Sequence, residues 1–331
     1  MNTHIVLSAI NISADYILDS KRGLYLNAID NVSIDFRSDE VIGIAGESGS
    51  GKSTLVKILY GAAFPPLIIR KGKVYLFTKD NSKIDITSIT REELRKNIWW
   101  KHISYIPQNA MNVLNPVKKV KDQFIEVFKY HDERIDAKET ITKIKELFMR
   151  LGLPIEALNA YPHQLSGGMR QRVVIALSLL FNPRIVIADE PTTAVDVVTQ
   201  LGILNLLKDW QRNSKTTLIM VSHDMSVHAY MDDRIVVMYA GNVVEVGSKN
   251  DIFENPMHPY TKLLIASLIK KGEKKLKTGI AGEPPNLLNP PPGCRFHPRC
   301  PFAMDICRRE APPIVELSDG KVVRCWLYAR K

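Results

Sequence analysis

The chain has 331 residues, 45% of them hydrophobic, and a formal net charge of +10 from 45 basic and 35 acidic side chains. This length accommodates one large α/β domain and a smaller appendage. No apolar stretch approaches the roughly 20 residues needed to cross a bilayer, and Met1-Asn2-Thr3-His4 lacks the layout of a signal peptide, so a soluble, intracellular protein is expected. A basic balance suits nucleic-acid, anionic-lipid or nucleotide partners and equally a solvated surface, so charge alone selects none of these.

Residues 4–12 and 31–36 alternate in the manner of strands, with a turn around Lys21 to Leu26. Val41-Ile42-Gly43-Ile44-Ala45 reads as a buried strand and Leu55 to Tyr60 as the start of a helix. Between them lies Gly46-Glu47-Ser48-Gly49-Ser50-Gly51-Lys52-Ser53-Thr54. A glycine-rich turn between strand and helix is the context a phosphate-binding loop requires, and an isolated pattern match without those flanks would say little. The glycines let successive N–H groups converge on phosphate oxygens, and the helix start adds its positive end. Lys52 is expected to reach the β- and γ-phosphates of a nucleotide, and the Ser53 hydroxyl to ligate Mg²⁺.

Lys73 to Phe77 and Ile84 to Ile86 read as two further strands. From about 118 to 165 the pattern turns helical, with Ile141, Ile144, Leu147, Phe148 and Leu151 on one face and Gly152 and Pro154 ending that helix. Leu165-Ser166-Gly167-Gly168-Met169 follows: Ser166 suits an N-cap, and two glycines in the first turn leave bare N–H groups for an anion. An ordinary capped helix rarely spends two glycines there, at about 1 kcal/mol each. One chain has little use for two such devices around one triphosphate, whereas two chains placed head to tail would use both.

Strands resume at Arg184 to Ala188, Thr216 to Val221 and Arg234 to Tyr239, with a hairpin through Ala240-Gly241-Asn242 to Val243–Val246. Alternating strands and helices predict an α/β fold with a mainly parallel sheet. Asp189 ends its strand as a Mg²⁺ carboxylate would, and Glu190 is one residue on, placed to polarise an attacking water. His223 ends another strand, where the ligand crevice of such folds opens. Beyond 247 come a short helical stretch from Tyr260 to Ile269, a lysine-rich linker at 270–277, and proline-rich segments. All four cysteines follow, at 294, 300, 307 and 325.

As a set and in this order, these segments resemble the ATP-binding cassette (ABC) ATPase family. Gly46 to Thr54 resembles its Walker A motif, Gln108 in Tyr105-Ile106-Pro107-Gln108 its Q-loop, Leu165 to Met169 its signature, with Met169 where many members have glutamine, Ile185 to Glu190 its Walker B, Ala194-Val195-Asp196 its D-loop and His223 its switch histidine. The resemblance implies a P-loop NTPase core with N-terminal antiparallel strands and a helical subdomain inserted at about 110–180. It further implies a D-loop meeting an opposite subunit, Gln108 sensing Mg²⁺ and the transmembrane partner, and an upstream aromatic stacked on adenine, for which Tyr25 is the candidate. The ATP-binding domain is then 1–247.

His258-Pro259-Tyr260-Thr261 and the Cys294–Pro301 segment resemble the C-terminal extension of oligopeptide/dipeptide importer ATPases, placing that extension at 248–331. The expected activity is ATP hydrolysis coupled to uptake of peptides or a related solute such as an oligosaccharide. The expected partners are a second, distinct ABC ATPase, two transmembrane permease subunits and, indirectly, an extracellular solute-binding protein, at the cytoplasmic face of the membrane and without nucleic acid. The alternative is a soluble ABC-type ATPase acting on nucleic acid or ribosomes, against which no long coiled-coil insertion is present. The cysteine spacing C-x5-C-x6-C-x17-C lacks the close pairs usual for zinc, and its wider loops suit an iron–sulfur cluster. Subgroup members carry a 4Fe–4S cluster at these cysteines, which is the expectation here; zinc is the second choice, and free or disulfide-linked thiols remain open.

Overall fold

The computed structural model describes residues 4–80, 82–131, 137–193, 195–268, 279–317 and 320–329. The lysine-rich linker and Ala194 of the D-loop lie outside these. In chain order the elements are β1 (Ile5–Asp19), β2 (Leu24–Arg37), β3 (Val41–Ala45), α1 (Lys52–Leu59), β4 (Leu67–Phe77), β5 (Lys83–Asp85), α2 (Arg91–Glu93), β6 (Ile103–Ile106), α3 (Val120–His131), α4 (Ala137–Arg150), α5 (Gly167–Leu179), β7 (Ile185–Asp189), α6 (Val197–Ser214), β8 (Thr217–Val221), α7 (Met225–Met231), β9 (Arg234–Tyr239), β10 (Asn242–Ser248), α8 (Lys249–Glu254), α9 (Pro259–Ala266), α10 (Asp305–Arg309), β11 (Ile314–Glu316) and β12 (Val322–Arg324).

The chain parts into two compact units, residues 1–88 with 219–331, and residues 89–218. In the first, β2, β1, β4 and β5 form an antiparallel sheet in that order. The expected early strands are longer than their alternation indicated, because register shifts let β1 bend and continue past residue 12 to Asp19. The turn occupies residues 20–23, and Leu24 to Leu26 belong to β2. A second, mixed sheet runs β11-β12-β10-β9-β3. Its β3–β9 ladder is parallel, while β10 and β12 extend it antiparallel, so the C-terminal residues add strands to the sheet that carries the phosphate loop. All five residues of β3 are buried, which explains its unbroken apolar run. The β9–β10 hairpin turns at Ala240 and Gly241, both with positive φ.

The apolar core under the second sheet is shared by the strands and the C-terminal segment. Tyr239, Tyr260 and Phe296 are buried together with Ala45, Met225 and Ile252, and the three rings pack edge-on or tilted at 4.7–5.5 Å between centroids. Such aromatic contacts add about 0.5–1.5 kcal/mol each beyond the area they bury.

In the second unit β6 and β7 pair in parallel, and α3, α4 and α5 form the expected helical block. Ile144, Leu147, Phe148 and Leu151 of the periodic pattern are buried. Leu151 is followed by Gly152 with φ +63, the left-handed stop that Gly-Leu-Pro promised. Phe124 meets Phe148 edge-on, tying α3 to α4.

Candidate functional site

Most site residues of the first unit lie in the loop between β3 and α1 and at the start of α1. The β3 strand delivers Gly46 with φ +148, where a Cβ would lie 2.3 Å from the Met238 carbonyl, so only glycine fits. Gly51, in the left-handed region, stands at the N-cap of α1 and, having no side chain, makes no side-chain cap bond. Lys52 is buried at the start of α1 and donates to the Gly46 carbonyl at 2.7 Å and the Glu47 carbonyl at 2.9 Å. Tyr25 lies on β2 and is 41% exposed, so its ring has a face to offer. His223 follows Ser222 at the end of β8 and is exposed, just before Asp224, whose carboxylate caps α7 by accepting from the Ser226 amide at 2.8 Å.

In the second unit two carboxylates close β7. Asp189 is 2% exposed, and its Oδ2 accepts from the Tyr105 hydroxyl at 2.7 Å. Glu190 takes positive φ, +49°, a conformation that costs a non-glycine residue about 1–3 kcal/mol and clusters at functional sites. Its Oε2 accepts from Gln108 Nε2 at 3.2 Å and from Thr193 Oγ1 at 2.9 Å. Gln108, Asp189 and Glu190, predicted separately from sequence, are thus brought together. Ser166 caps α5 as expected, its Oγ accepting from the Met169 amide at 3.2 Å. The glycine at 168 has a second reason that sequence did not disclose: a Cβ there would lie 2.8 Å from Thr199 Cγ2 on α6. Asp196 caps α6, accepting from the Val198 and Thr199 amides and the Thr199 hydroxyl, bonds that hold its carboxyl below the usual range. Beside it, Val197 and Val198 are 80% and 83% exposed, an apolar edge at the D-loop.

The C-terminal segment reaches the phosphate loop directly. Arg299 binds Glu47 through two bonds, Nη1 to Oε2 at 2.7 Å and Nη2 to Oε1 at 3.1 Å, and the Tyr260 hydroxyl accepts from the Glu47 amide at 2.9 Å. Arg295 donates to the Ala240 carbonyl, Asn27 and Asp30. Sequence reasoning missed these contacts because most join segments more than 200 residues apart, 252 for Arg299 and Glu47.

All four cysteines, Cys294, Cys300, Cys307 and Cys325, line one small cavity together with His258, Phe296 and Trp326. Burial pushes the thiols of Cys294 and Cys300 up and that of Cys325 up to about 11. Among the described residues, no group of three or more His, Cys, Asp or Glu side chains is drawn close enough to hold a metal ion. The four cysteines thus share one cavity, but neither the expected iron–sulfur cluster nor zinc is supported by the arrangement of their side chains.

A strand, an uncapped glycine loop and a helix in one unit, with paired carboxylates, a glutamine and a Ser-Gly-Gly helix cap in the other, define an ABC ATPase. Family comparison agrees. Residues 29–193 match the ABC transporter model, and residues 244–307 match the C-terminal region of oligopeptide/dipeptide transporters. The chain is 45% identical to a dipeptide transport ATP-binding protein, DppD, of Caldanaerobacter subterraneus subsp. tengcongensis, over 92% of each chain. It is 42% identical to the oligopeptide transport ATP-binding protein OppD of Bacillus subtilis, over 91% of this chain and 84% of that one. Among solved structures, the dimeric bacterial ABC transporter cassette MJ0796 matches with TM-score 0.63 and 28% identity, over 73% of this chain and 98% of that one. The chain therefore belongs to the ABC transporter ATP-binding family, in its oligopeptide/dipeptide branch, and is an ATPase. An ATPase acting on nucleic acid or ribosomes is not favoured. Among the described residues no helix is long and apolar enough to cross a membrane.

Proposed function

We propose that this chain is the ATP-hydrolysing subunit of an importer for di- or oligopeptides, or for a related solute such as an oligosaccharide. The observation that carries the reading is that one chain matches both the ABC transporter model, over residues 29–193, and the oligopeptide/dipeptide C-terminal region, over residues 244–307. In this reading Tyr25 stacks on adenine, residues 46–54 cradle the phosphates, and Lys52 neutralises their charge. Ser53, Gln108 and Asp189 hold Mg²⁺, which supplies charge neutralisation at the β- and γ-oxygens when bound. Glu190 orients and polarises the water, and His223 reads the γ-phosphate.

Ser166, Gly167, Gly168 and Asp196 serve the nucleotide held by a facing ATPase chain. The exposed Val197 and Val198 support such a neighbour, since an apolar edge is favourably covered. That neighbour is a related but distinct subunit, and the pair works with two permease subunits at the cytoplasmic face of the membrane, with an extracellular solute-binding protein acting indirectly. The test is Glu190→Gln in the assembled transporter. Nucleotide binding should persist while turnover falls about 10²–10⁴-fold, the range lost with a general base. Turnover within twofold of wild type would remove Glu190 from this role.

The cysteine cavity is proposed to hold a 4Fe–4S cluster, which would cross-link the segments around residues 294, 300, 307 and 325. Protein isolated without oxygen should contain iron and sulfide in equal amounts and show the broad visible absorption of a thiolate-bound cluster; stoichiometric zinc without sulfide would reject the cluster.

A further inference from the structure

Behind the strand that leads to the phosphate loop lies an ionisable pair with no task in the chemistry above. His228 on α7 and Asp232 at its end are both 0% exposed. Asp232 Oδ2 stands 2.6 Å from His228 Nδ1, and the other ring nitrogen, Nε2, is 3.0 Å from the Ser222 carbonyl. A carbonyl oxygen only accepts, so Nε2 carries a hydrogen and donates. The short Nδ1–Oδ2 contact then requires one more proton, or two lone pairs would oppose each other. Pairing therefore keeps the two side chains neutral as a unit, whichever of them holds the shared proton, and neutrality is what a dry site demands.

The surrounding charges agree. Burial by itself lowers the His228 pKa and Lys52 adds to that, but the Asp232 carboxylate and the Ser222 carbonyl reverse the balance and leave it raised. Burial raises the Asp232 pKa, with Asp233 adding to the effect and His228 and Lys249 opposing it.

The arrangement is expensive for a purely structural element. Asp232 Oδ1 is buried without a hydrogen-bond partner. The strand in front has had to give up a side chain, because a Cβ on Gly43 would lie 1.7 Å from Asp232 Oδ2 and 2.4 Å from His228 Nδ1. Apolar residues of similar volume usually serve stability as well or better. What the pair does hold is the peptide immediately before His223. The Ser222 amide reaches the Ile44 carbonyl of β3 only at 3.4 Å, and Ser222 Oγ is engaged by the Asp224 amide at 3.0 Å. The firm tether on the Ser222 carbonyl is His228.

We infer that the buried His228–Asp232 pair, seated on Gly43, is a positioning device for His223: it fixes the Ser222–His223 peptide and thereby the direction in which the His223 side chain leaves the strand end. The pair touches no nucleotide and acts through its neighbour. This inference rests on the reading of His223 as the residue that senses the γ-phosphate.

The test uses the assembled transporter, with ATP binding and single-turnover hydrolysis measured for H223A, D232A, D232N and the double variant H228L/D232A. The double variant leaves no unpaired buried charge and should bind ATP within about threefold of wild type while hydrolysis slows at least about tenfold. D232A, a milder change that keeps the ring but lets it rotate, should slow hydrolysis about three- to tenfold with the same affinity. In D232N the amide donates to Nδ1 while Nε2 still meets Ser222, so hydrolysis should stay within about threefold. Because the pair acts through His223, adding H228L/D232A to H223A should cost no more than about twofold.

The inference is overturned if D232A and the double variant hydrolyse at the wild-type rate, if the loss is equally large without His223, or if affinity falls in step with rate. Wild-type hydrolysis by H223A would instead overturn the reading of His223 itself; slow H223A with fast H228L/D232A overturns the positioning role alone.

Discussion

The contact between Arg299 and Glu47 makes a quantitative prediction about how the C-terminal segment supports the phosphate loop. The Arg299 side chain is 4% exposed and Glu47 25% exposed. Besides its two bonds to Glu47, the guanidinium donates to the Ala281 carbonyl at 3.0 Å, the Ile280 carbonyl at 3.1 Å and the Tyr239 hydroxyl at 3.3 Å. Arg299→Met keeps the apolar stem and strips all five. Breaking a fully buried pair costs about 3–5 kcal/mol, and since Glu47 can recover water the expected loss here is about 2–4 kcal/mol. Arg299→Lys keeps the charge without the planar fork and should fall between.

A chain of two units need not unfold in one step, so a global melting curve is the wrong readout. Amide hydrogen exchange reports the local opening instead: peptides covering residues 44–56 should exchange about 30- to 700-fold faster in R299M, in parallel with peptides around 294–307. Faster exchange in the tail alone, with the phosphate loop unchanged, would refute the mechanical link.

The remaining predictions concern packing and protonation. Gly168→Ala gains helix propensity but drives a Cβ to 2.8 Å from Thr199 Cγ2, so hydrolysis should drop, and adding Thr199→Ser, which deletes only that methyl group, should restore it; failure to restore would mean that 168 matters for the anion rather than for packing. His258 is fully buried, accepts from the Tyr260 amide at 3.1 Å, and burial lowers its pKa to about 3. A folded pKa below the unfolded value means stability that is complete above about pH 6.5 and is lost as pH falls toward 3, at up to about 1.4 kcal/mol per pH unit; His258→Asn, which keeps an acceptor, should flatten that slope as read from amide-exchange protection of peptides around residues 257–264 across pH. In metal-free protein the Cys325 thiol, at about 11, should alkylate more slowly at pH 8 than a free cysteine, and mass spectrometry of the modified peptide reads this directly.

The parts of the site that were legible in sequence are those whose chemistry is local. A buried strand into a glycine loop, a carboxylate closing an apolar run and a serine before two glycines each encode their geometry within ten residues, and β3, β7 and the Ser166 cap follow. The Ala240-Gly241 hairpin was legible for the same reason. What sequence hid was long-range. Arg299 against Glu47, and Tyr105 against Asp189, join segments whose separation carries no periodic signal. Gly43 looked like an ordinary small residue in a strand, and its purpose exists only because His228 and Asp232 fold against it. The strands β1 and β2 outran their alternation because bulges reset the period.

We propose that each hydrolytic site is completed by a facing ATPase chain. The direct measurement is phosphate release per molecule of this chain across a dilution series, alone and with its partner ATPase, with the association state followed in the same samples. Activity per molecule should collapse as the chain becomes monomeric and return with the partner. A rate per molecule that stays constant down to the strictly monomeric protein would contradict it.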